Sequence, residues 1–326
     1  MSRAELIRAI LIKRAERNRA LDHVNAQYVI TRVAEQFHRA TRKVRSFRGP
    51  NQAGKTVAGA REMVYCLLGY SPYRKVRSAP VEAKLSSFSF DQSIKAQRVL
   101  HKLIPPWMFT DDCKFDYERG FTNHRITLKN GSILTFFSDN QATLAHSSDS
   151  LDYVWFDEPP KAGKYGENIA RLLVKSGEMW LTYTPIGCPV EWLKEEVERG
   201  AIEDIQFSLT PENAPHLSAE RINEIIEAYL PEERDQRVHG AWEGVSPDRK
   251  FTKFKPQIHL IEDADIPSIP MSILIGADHG EKSNNEYFII IGVYVLSGLT
   301  HIVALAEYTG QAGGSPVEDA DRKSVV

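Results

Sequence analysis

The fold of this chain is decided by residues 49–56, Gly49-Pro50-Asn51-Gln52-Ala53-Gly54-Lys55-Thr56. The octapeptide fits G-x-x-x-x-G-K-[ST] at each position, a pattern in which backbone N–H groups curl around phosphates. In it Lys55 reaches the β- and γ-phosphate oxygens, and Thr56 offers a hydroxyl to Mg²⁺. A β-like run, 43–48, precedes the octapeptide, and an amphipathic helical pattern follows it. The stretch therefore predicts a phosphate loop between a strand and a helix.

A second element places two acids at the end of an apolar strand. The run is Asp152-Tyr153-Val154-Trp155-Phe156-Asp157-Glu158. In phosphate-loop enzymes an aspartate at such a strand end holds the Mg²⁺ ion. A glutamate directly after it can orient and deprotonate the attacking water. We therefore expect Asp157 to be a metal ligand, Glu158 to be the catalytic base, and ATP to be hydrolysed.

A third strand-like run carries hydroxyls at its carboxyl end. It reads Leu181-Thr182-Tyr183-Thr184-Pro185, and the proline stops the regular structure. Hydroxyls at the end of a neighbouring strand can sense the γ-phosphate and pass its loss to a moving subdomain. Thr182 and Thr184 are therefore candidate coupling residues.

The rest of the chain alternates strand and helix patterns, which indicates an α/β domain over a mostly parallel sheet. The dipeptide Asn130-Gly131 between two apolar runs predicts a β-hairpin. Residues 190–245 are charged and helical in pattern, and a proline-spaced stretch, 254–270, indicates a connection between domains. Three further strand-like runs follow it, 271–277, 286–295 and 301–307.

Composition excludes several classes of protein. The chain has 326 residues, 42% of them hydrophobic, and three cysteines far apart in sequence, which argues against disorder, a disulfide framework and a zinc site. No run is long enough to span a bilayer, and the HExxH and GxSxG motifs are absent. The first 48 residues hold 12 Lys and Arg against 4 Asp and Glu. This basic segment either faces phosphates or is a solvated helix face.

In their order along the chain, these pieces resemble the large terminase subunit of tailed bacteriophages. The resemblance covers most of residues 30–310 and is most specific in the ATPase half. It rests on Gln36-Phe37-His38, Val44–Gly49, the phosphate loop, Glu62, Val154–Pro160, Glu167, Arg171, Thr182–Gly187, Trp192, Asn213, Arg237, Gly240 and Ile275-Gly276-Ala277-Asp278. One departure is Ala145-His146-Ser147-Ser148, where relatives often have a glycine in the loop before the acidic strand.

The resemblance implies an α/β phosphate-loop ATPase domain of the additional-strand class at 1–185. A small helical lid at 186–255 and a partial RNase H-like nuclease domain at 256–326 would follow it. It implies a motor that uses ATP and Mg²⁺ to drive double-stranded DNA into the procapsid. Such a motor works as a homo-oligomeric ring with the portal protein and the terminase small subunit. It would lie in the host cytoplasm, transiently at the portal vertex, with no membrane partner.

The resemblance also implies roles for individual residues. Gln36 sits where the family often reads adenine. Lys55 and Thr56 bind phosphate and Mg²⁺, Asp157 binds Mg²⁺, Glu158 activates water, and Thr182–Thr184 couple hydrolysis to movement. Hydrolysis further needs an arginine to supply positive charge to the transition state, and the sequence leaves three candidates open: Arg48, Arg61 and Arg171.

Asp278 ends the first strand-like run after the connection, where the resemblance implies one ligand of a two-metal nuclease site that takes Mg²⁺ or Mn²⁺. The family's other acids come from elements well beyond the third strand. The chain continues to Val326 with no apolar pattern past Glu307. We therefore expect a truncated nuclease domain that is inactive unless another chain completes it.

Two alternatives stay open. A nucleic-acid helicase or translocase shares the phosphate loop and the Asp-Glu strand, but it usually needs a second RecA-like domain for which residues 190–326 are too few. A decayed prophage remnant could act only as a binding module. The intact Lys55, Thr56, Asp157 and Glu158 favour retained ATPase chemistry over that alternative.

Overall fold

The computed structural model describes residues 3–138, 150–186, 190–242, 270, 272–278, 285–296 and 299–311. The chain divides into two compact units, Met1–Arg249 and Lys250–Val326. Among the described helices, none has both the length and the apolar content to cross a bilayer.

The first unit alternates helices and strands along the chain. Its helices are α1 (Arg3–Gln27), α2 (Arg32–Arg39), α3 (Lys55–Leu68), α4 (Phe90–Leu103), α5 (Ala162–Lys175), α6 (Glu191–Glu198), α7 (Ala219–Ala228) and α8 (Arg234–His239). Its strands are β1 (Val44–Arg48), β2 (Glu82–Ser87), β3 (Phe115–Asp116), β4 (Gly120–Phe121), β5 (Arg125–Thr127), β6 (Ile133–Ser138), β7 (Tyr153–Asp157), β8 (Glu178–Tyr183) and β9 (Glu203–Gln206).

Seven of these strands form one sheet in the order β5-β6-β2-β7-β8-β1-β9. Neighbouring strands are parallel except β5 and β6, which form the hairpin predicted at Asn130-Gly131. Helices α3 and α4 contribute to the core on one face, and α5 and α6 contribute to a second core cluster. Central strands β7 and β8 are buried along almost their whole length, as expected for a parallel sheet with both faces covered. The predicted α/β fold is confirmed.

Two strands of this sheet have no apolar pattern in the sequence. In β2, Lys84 is buried at the sheet centre and its ammonium donates to Asn168 Oδ1 at 3.0 Å. In β9, Asp204 accepts hydrogen bonds from the Arg48 guanidinium at 2.7 and 2.9 Å. These partners satisfy the polar side chains, so strands form where sequence periodicity indicates none.

The region expected to be a small helical lid, 186–255, differs from that expectation in one respect. Its strand β9 pairs in parallel with β1 and forms an edge of the main sheet. Its described helices, α6 to α8, belong to the same compact unit as the sheet. The region therefore completes the main sheet as well as supplying helices, and the domain boundaries stay a prediction.

A buried ion network anchors α3 to the surrounding elements. Glu62 Oε1 accepts from Arg45 at 2.6 Å and from Arg74 at 2.5 Å, while Oε2 lies 2.7 Å from His38 Nδ1. Burial by itself would raise the pKa of Glu62, but Arg45, His38 and Arg74 outweigh burial and hold that pKa well below its usual range. The Glu62 carboxylate is therefore charged, and its contacts link α3 to α2 and β1.

The second unit contains an antiparallel three-stranded sheet. Its strands are β10 (Ser272–Asp278), β11 (Asn285–Leu296) and β12 (Leu299–Gln311), in the order β10-β11-β12. They correspond to the three strand-like runs predicted from the sequence. The assignment of this sheet to an RNase H-like domain stays a prediction, and residues 312–326 lie outside the described residues.

Candidate active site

One cavity of about 1240 Å³ opens at the carboxyl edge of the main sheet. The ends of β1, β2, β7 and β8 meet there, and each contributes residues to its lining: Asn51 to Ala58 after β1, Ser87 at the end of β2, Asp157 and Glu158 at the end of β7, and Thr184 after β8. In open α/β sheets, ligands bind in a crevice outside the carboxyl ends of the strands. The cavity is therefore the candidate active site of this unit.

The predicted phosphate loop has the geometry that its sequence requires. Strand β1 ends at Arg48 and α3 begins at Lys55, with Gly54 in the left-handed region at φ +86°. A Cβ on Gly49 would overlap the ring of Phe207, so that position accepts only glycine without rearrangement. The first residues of α3 line the cavity, and the free N–H groups of a helix N-terminus stabilise an anion.

Lys55 is buried and holds two parts of the site together. Its ammonium donates to Pro50 O and to Thr184 Oγ1, both at 2.6 Å. Burial lowers the pKa of Lys55 to about 8, and the nearby Glu158 and Asp157 carboxylates oppose that change. The Thr184 hydroxyl in turn lies 2.8 Å from Gly49 O and 2.9 Å from Asn51 Oδ1, either of which can accept its proton. Thr184 therefore contacts the phosphate loop directly.

Asp157 accepts hydrogen bonds from two threonines. The Thr182 hydroxyl donates to Asp157 Oδ1 at 2.8 Å, and the Thr56 hydroxyl lies 3.1 Å from the same oxygen. The Trp155 indole N–H donates to Thr182 Oγ1 at 2.8 Å and so orients it. Burial raises the pKa of Asp157, while the two hydroxyls and Lys55 oppose it.

These oxygens fit a magnesium ion. A buried carboxylate beside a hydroxyl is the hard oxygen donor set that Mg²⁺ takes in phosphate sites. A divalent cation would also offset the cost of burying the Asp157 charge, which hydroxyl hydrogen bonds only partly reduce. Thr56 and Asp157 are therefore the residues that would hold the ion.

Glu158 combines an unusual backbone with a raised pKa. Its φ is +87°, a region that side chains other than glycine rarely adopt, and its N–H donates to Thr182 O at 2.9 Å. Burial raises the pKa of the Glu158 carboxyl to about 7, although the positive charge of Lys55 lowers that pKa. Non-glycine residues held in this region cluster at active sites. A carboxylate with a pKa near neutrality suits a general base.

Some predicted residues lie elsewhere. Gln36 is exposed on α2, and the α2 residues that line the cavity are Ala34 and His38 instead. Asp278 ends β10 in the second unit, and its side chain is outside the described part of the structure. Within the described residues, no cluster of three His, Cys, Asp or Glu residues is arranged to hold a metal ion.

The three arginine candidates are engaged in structural contacts. Arg48 pairs with Asp204, donates to Gly240 O and stacks over Trp242. Arg171 pairs with Glu167 on the same helix. Arg61 lines the cavity, but its guanidinium donates to the Val24 and Tyr28 carbonyls. The Arg61 Nε is buried without a hydrogen-bond partner, so of the three only Arg61 both lines the cavity and keeps an unpaired guanidinium nitrogen within the described residues.

Two groups of residues line the cavity that the sequence patterns do not predict. One comprises Ser87, Phe88, Gln92 and Lys95, at the junction between β2 and α4; the other comprises Tyr28, Val29, Ile30, Pro215 and His216. The first group is not predicted, because β2 has no apolar run that would mark the end of a strand. A local pattern that indicates this junction is Ser89, two residues after the end of β2. Its side chain caps the N-terminus of α4 and accepts a hydrogen bond from Gln92 N.

Comparisons with known proteins identify the family of the chain. Residues 46–255, more than half of the chain, match the sequence family described as "Terminase large subunit, T4likevirus-type, N-terminal". The chain is 28% identical over 109 residues to the terminase large subunit of Salmonella phage P22. That match covers 33% of this chain and 22% of the P22 protein, so the chain spans about a fifth of that relative's length.

Two solved structures have the same fold. The large terminase of a thermophilic bacteriophage superposes with a TM-score of 0.53 at 14% identity, covering 87% of this chain and 69% of that one. The large terminase ATPase domain of Thermus phage P74-26 superposes with a TM-score of 0.50 at 19% identity, covering 66% of this chain and 94% of that domain. At such low identity the likeness establishes the fold alone.

Proposed function

This chain belongs to the family described as terminase large subunit, T4likevirus-type, N-terminal, and on that premise we propose that it is the ATP-hydrolysing motor subunit that moves double-stranded viral DNA into a procapsid. One observation carries the proposal: Lys55, Thr56, Asp157, Glu158 and Thr184 line one cavity at the end of the sheet. The first four are the residue types that phosphoryl transfer to water requires at their positions.

The hydrolytic step follows from the contacts of these residues. Lys55 exchanges its bonds to Pro50 O and Thr184 for the β- and γ-phosphate oxygens of ATP. Thr56 and Asp157 would hold Mg²⁺, which would supply positive charge to offset that of the phosphates. Glu158 takes a proton from a water whose oxygen bonds to the γ-phosphorus. The bond to the bridging oxygen breaks, leaving ADP and inorganic phosphate.

Loss of the γ-phosphate is transmitted through the threonines. Thr184 bonds to Lys55 and lies against the phosphate loop, while Thr182 bonds to Asp157. A ligand that draws Lys55 toward phosphate removes one partner of Thr184, and product release restores it. We propose that this exchange moves the segment that follows β8 and so couples hydrolysis to DNA movement.

The test is ATP turnover by the purified chain with Mg²⁺ and its Lys55→Ala variant. We expect the variant to lose turnover while keeping the far-UV circular dichroism spectrum of the wild type. Lys114→Ala is the matched control, because Lys114 is an exposed lysine that does not line the cavity. Turnover that persists in Lys55→Ala at the wild-type rate would refute the assignment of the phosphate loop.

We further propose that the partners are those of a packaging motor: duplex DNA, the portal protein, the terminase small subunit and further copies of this chain in a ring. Asp278 stays the candidate metal ligand of a nuclease site that uses Mg²⁺ or Mn²⁺. If the Asp278→Ala variant still cleaves plasmid DNA in the presence of metal, Asp278 is not a ligand of that site.

A further inference from the structure

The junction between β2 and α4 forms a wall of the cavity to which the hydrolytic mechanism assigns no role. Ser87 is the last residue of β2, and its partner in the register with β7 is Asp157. Register partners on parallel strands project to the same face of a sheet. Ser87 therefore lies beside the acidic pair, and α4 carries Lys95 into the lining of the same cavity.

The Ser87 hydroxyl has no partner within the described protein. Ser87 is 3% exposed, and its Oγ is a buried polar atom without a hydrogen bond. On the opposite side of β2, its register partner Ser138 is also buried, but that hydroxyl donates to Phe88 O at 3.1 Å. Buried hydroxyls are nearly always satisfied. An unsatisfied one that lines a cavity is therefore a group placed for a ligand or its water.

Lys95 is the second feature of this wall. It is exposed on α4, and among the described residues no carboxylate lies within ion-pair distance of its ammonium. Lys95 lines the same cavity as the acidic pair, and no ion pair among the described residues holds its ammonium.

We propose that Ser87 and Lys95 hold the γ-phosphate end of ATP, with the Ser87 hydroxyl bonded to the attacking water and the Lys95 ammonium bonded to γ-phosphate oxygens. This inference rests on the function proposed above. During attack, Glu158 accepts one proton of the water and Ser87 Oγ accepts a hydrogen bond from the other. Lys95 stabilises the negative charge on the γ-phosphate oxygens as the bond to the bridging oxygen breaks. Both residues are then catalytic residues supplied by the chain itself.

The experiment compares Ser87→Ala and Lys95→Ala with the wild type in steady-state ATPase assays and in thermal unfolding without nucleotide. We expect kcat to fall about 10-fold for Ser87→Ala and about 100-fold for Lys95→Ala, with KM for ATP changed less than kcat in both. The Tm of Ser87→Ala should equal or exceed that of the wild type, because the substitution removes an unsatisfied buried hydroxyl. Lys95→Arg, which keeps the charge, should retain more turnover than Lys95→Ala.

Two controls separate this role from a structural one. Ser138→Ala removes a satisfied hydroxyl at the same level of the sheet, so it should lower Tm and leave kcat unchanged. Lys114→Ala removes an exposed positive charge away from the cavity. If Ser87→Ala lowers both Tm and kcat, its effect on turnover is structural and the inference is overturned. Wild-type kcat in Lys95→Ala would overturn it as well.

The experiments distinguish failure of the proposed function from failure of this inference alone. If the wild type does not hydrolyse ATP, or if Lys55→Ala hydrolyses it normally, the proposed function and this inference both fail. If turnover depends on Lys55 but Ser87→Ala and Lys95→Ala keep the wild-type kcat, only this inference fails.

Discussion

Glu158 and Lys55 line one cavity, and burial of their side chains shifts the pKa of each toward neutrality. The pKa of Glu158 is raised to about 7, and that of Lys55 is lowered to about 8. The carboxylate is charged above its pKa, whereas the ammonium is charged below its pKa. Both groups therefore hold the charges that hydrolysis needs only in a window between about pH 7 and pH 8.

We expect kcat/KM for ATP to follow a bell-shaped pH profile, because this ratio reports the groups of the free enzyme. The acid limb should rise through about pH 7 as Glu158 loses its proton, and the basic limb should fall through about pH 8 as Lys55 loses its own. The measurement is initial ATPase rate at low ATP concentration across this range. A rate that is flat through both values would contradict these protonation states.

The sequence predicts the candidate site residues that belong to fixed motifs. Lys55 and Thr56 follow from the spacing of the phosphate loop, and Asp157 and Glu158 follow from their place after an apolar strand. Gln36 is not brought to the cavity, because the exposed face of α2 carries it away from the lining. Ser87 was missed because its strand is identified by tertiary hydrogen bonds, such as the one from Lys84 to Asn168, which no local pattern encodes.

At the scale of elements, α3 is held by electrostatics as well as by packing. Its residue Glu62 has no exposed side-chain surface and contacts Arg45 on β1, Arg74 in the loop after α3, and His38 on α2. Because the pKa of Glu62 is held below its ordinary value of 4.5, its contribution to stability is present above that value. It is lost as pH falls through the lower, folded-state pKa.

We expect Glu62→Gln to lower the free energy of unfolding by about 3–5 kcal/mol, because it leaves buried guanidinium groups without their shared carboxylate. The measurement is urea unfolding at neutral pH. Glu35→Gln is the matched control: it also removes a carboxylate paired with an arginine, but at the surface, where the cost is below ~1 kcal/mol. Equal costs for the two variants would contradict the role assigned to the network.

Elements with apolar runs were predictable, and polar elements were not. Strands β7 and β8 follow from Tyr153–Phe156 and Met179–Leu181, which are buried. Strand β9 reads Glu203-Asp204-Ile205-Gln206 and becomes an edge strand because Asp204 pairs with Arg48 at the end of β1. The same contact ties the region expected as a lid to the residue that precedes the phosphate loop.

At the scale of the whole molecule, the two units differ in how they bury apolar surface. The first has a sheet covered on both faces, and all but the last six residues of the family match, 46–255, belong to it. In the second, Ile273, Leu274 and Ile275 of β10 are more than half exposed within the described chain. The three strands there were predictable from apolar runs, but a role for them requires the chemistry of Asp278, which stays a prediction.

We expect DNA binding to be sensitive to salt and insensitive to sequence, because a motor that moves any duplex must contact mainly backbone phosphates. The affinity for two unrelated duplexes of equal length should be the same. It should fall with a log–log salt slope of about 0.9 per phosphate neutralised. Fluorescence anisotropy over a salt series measures both. Strong preference for one duplex, or affinity independent of salt, would contradict the proposed motor.

The central claim is that this cavity binds ATP and that Glu158 activates water within it. The most direct test measures ATP affinity and single-turnover hydrolysis in the Glu158→Gln variant. The account predicts wild-type ATP affinity with hydrolysis slowed by about 10²–10⁴-fold, because the amide keeps the shape of the carboxylate but cannot accept the proton. Hydrolysis at the wild-type rate, or loss of ATP binding in this variant, would contradict it.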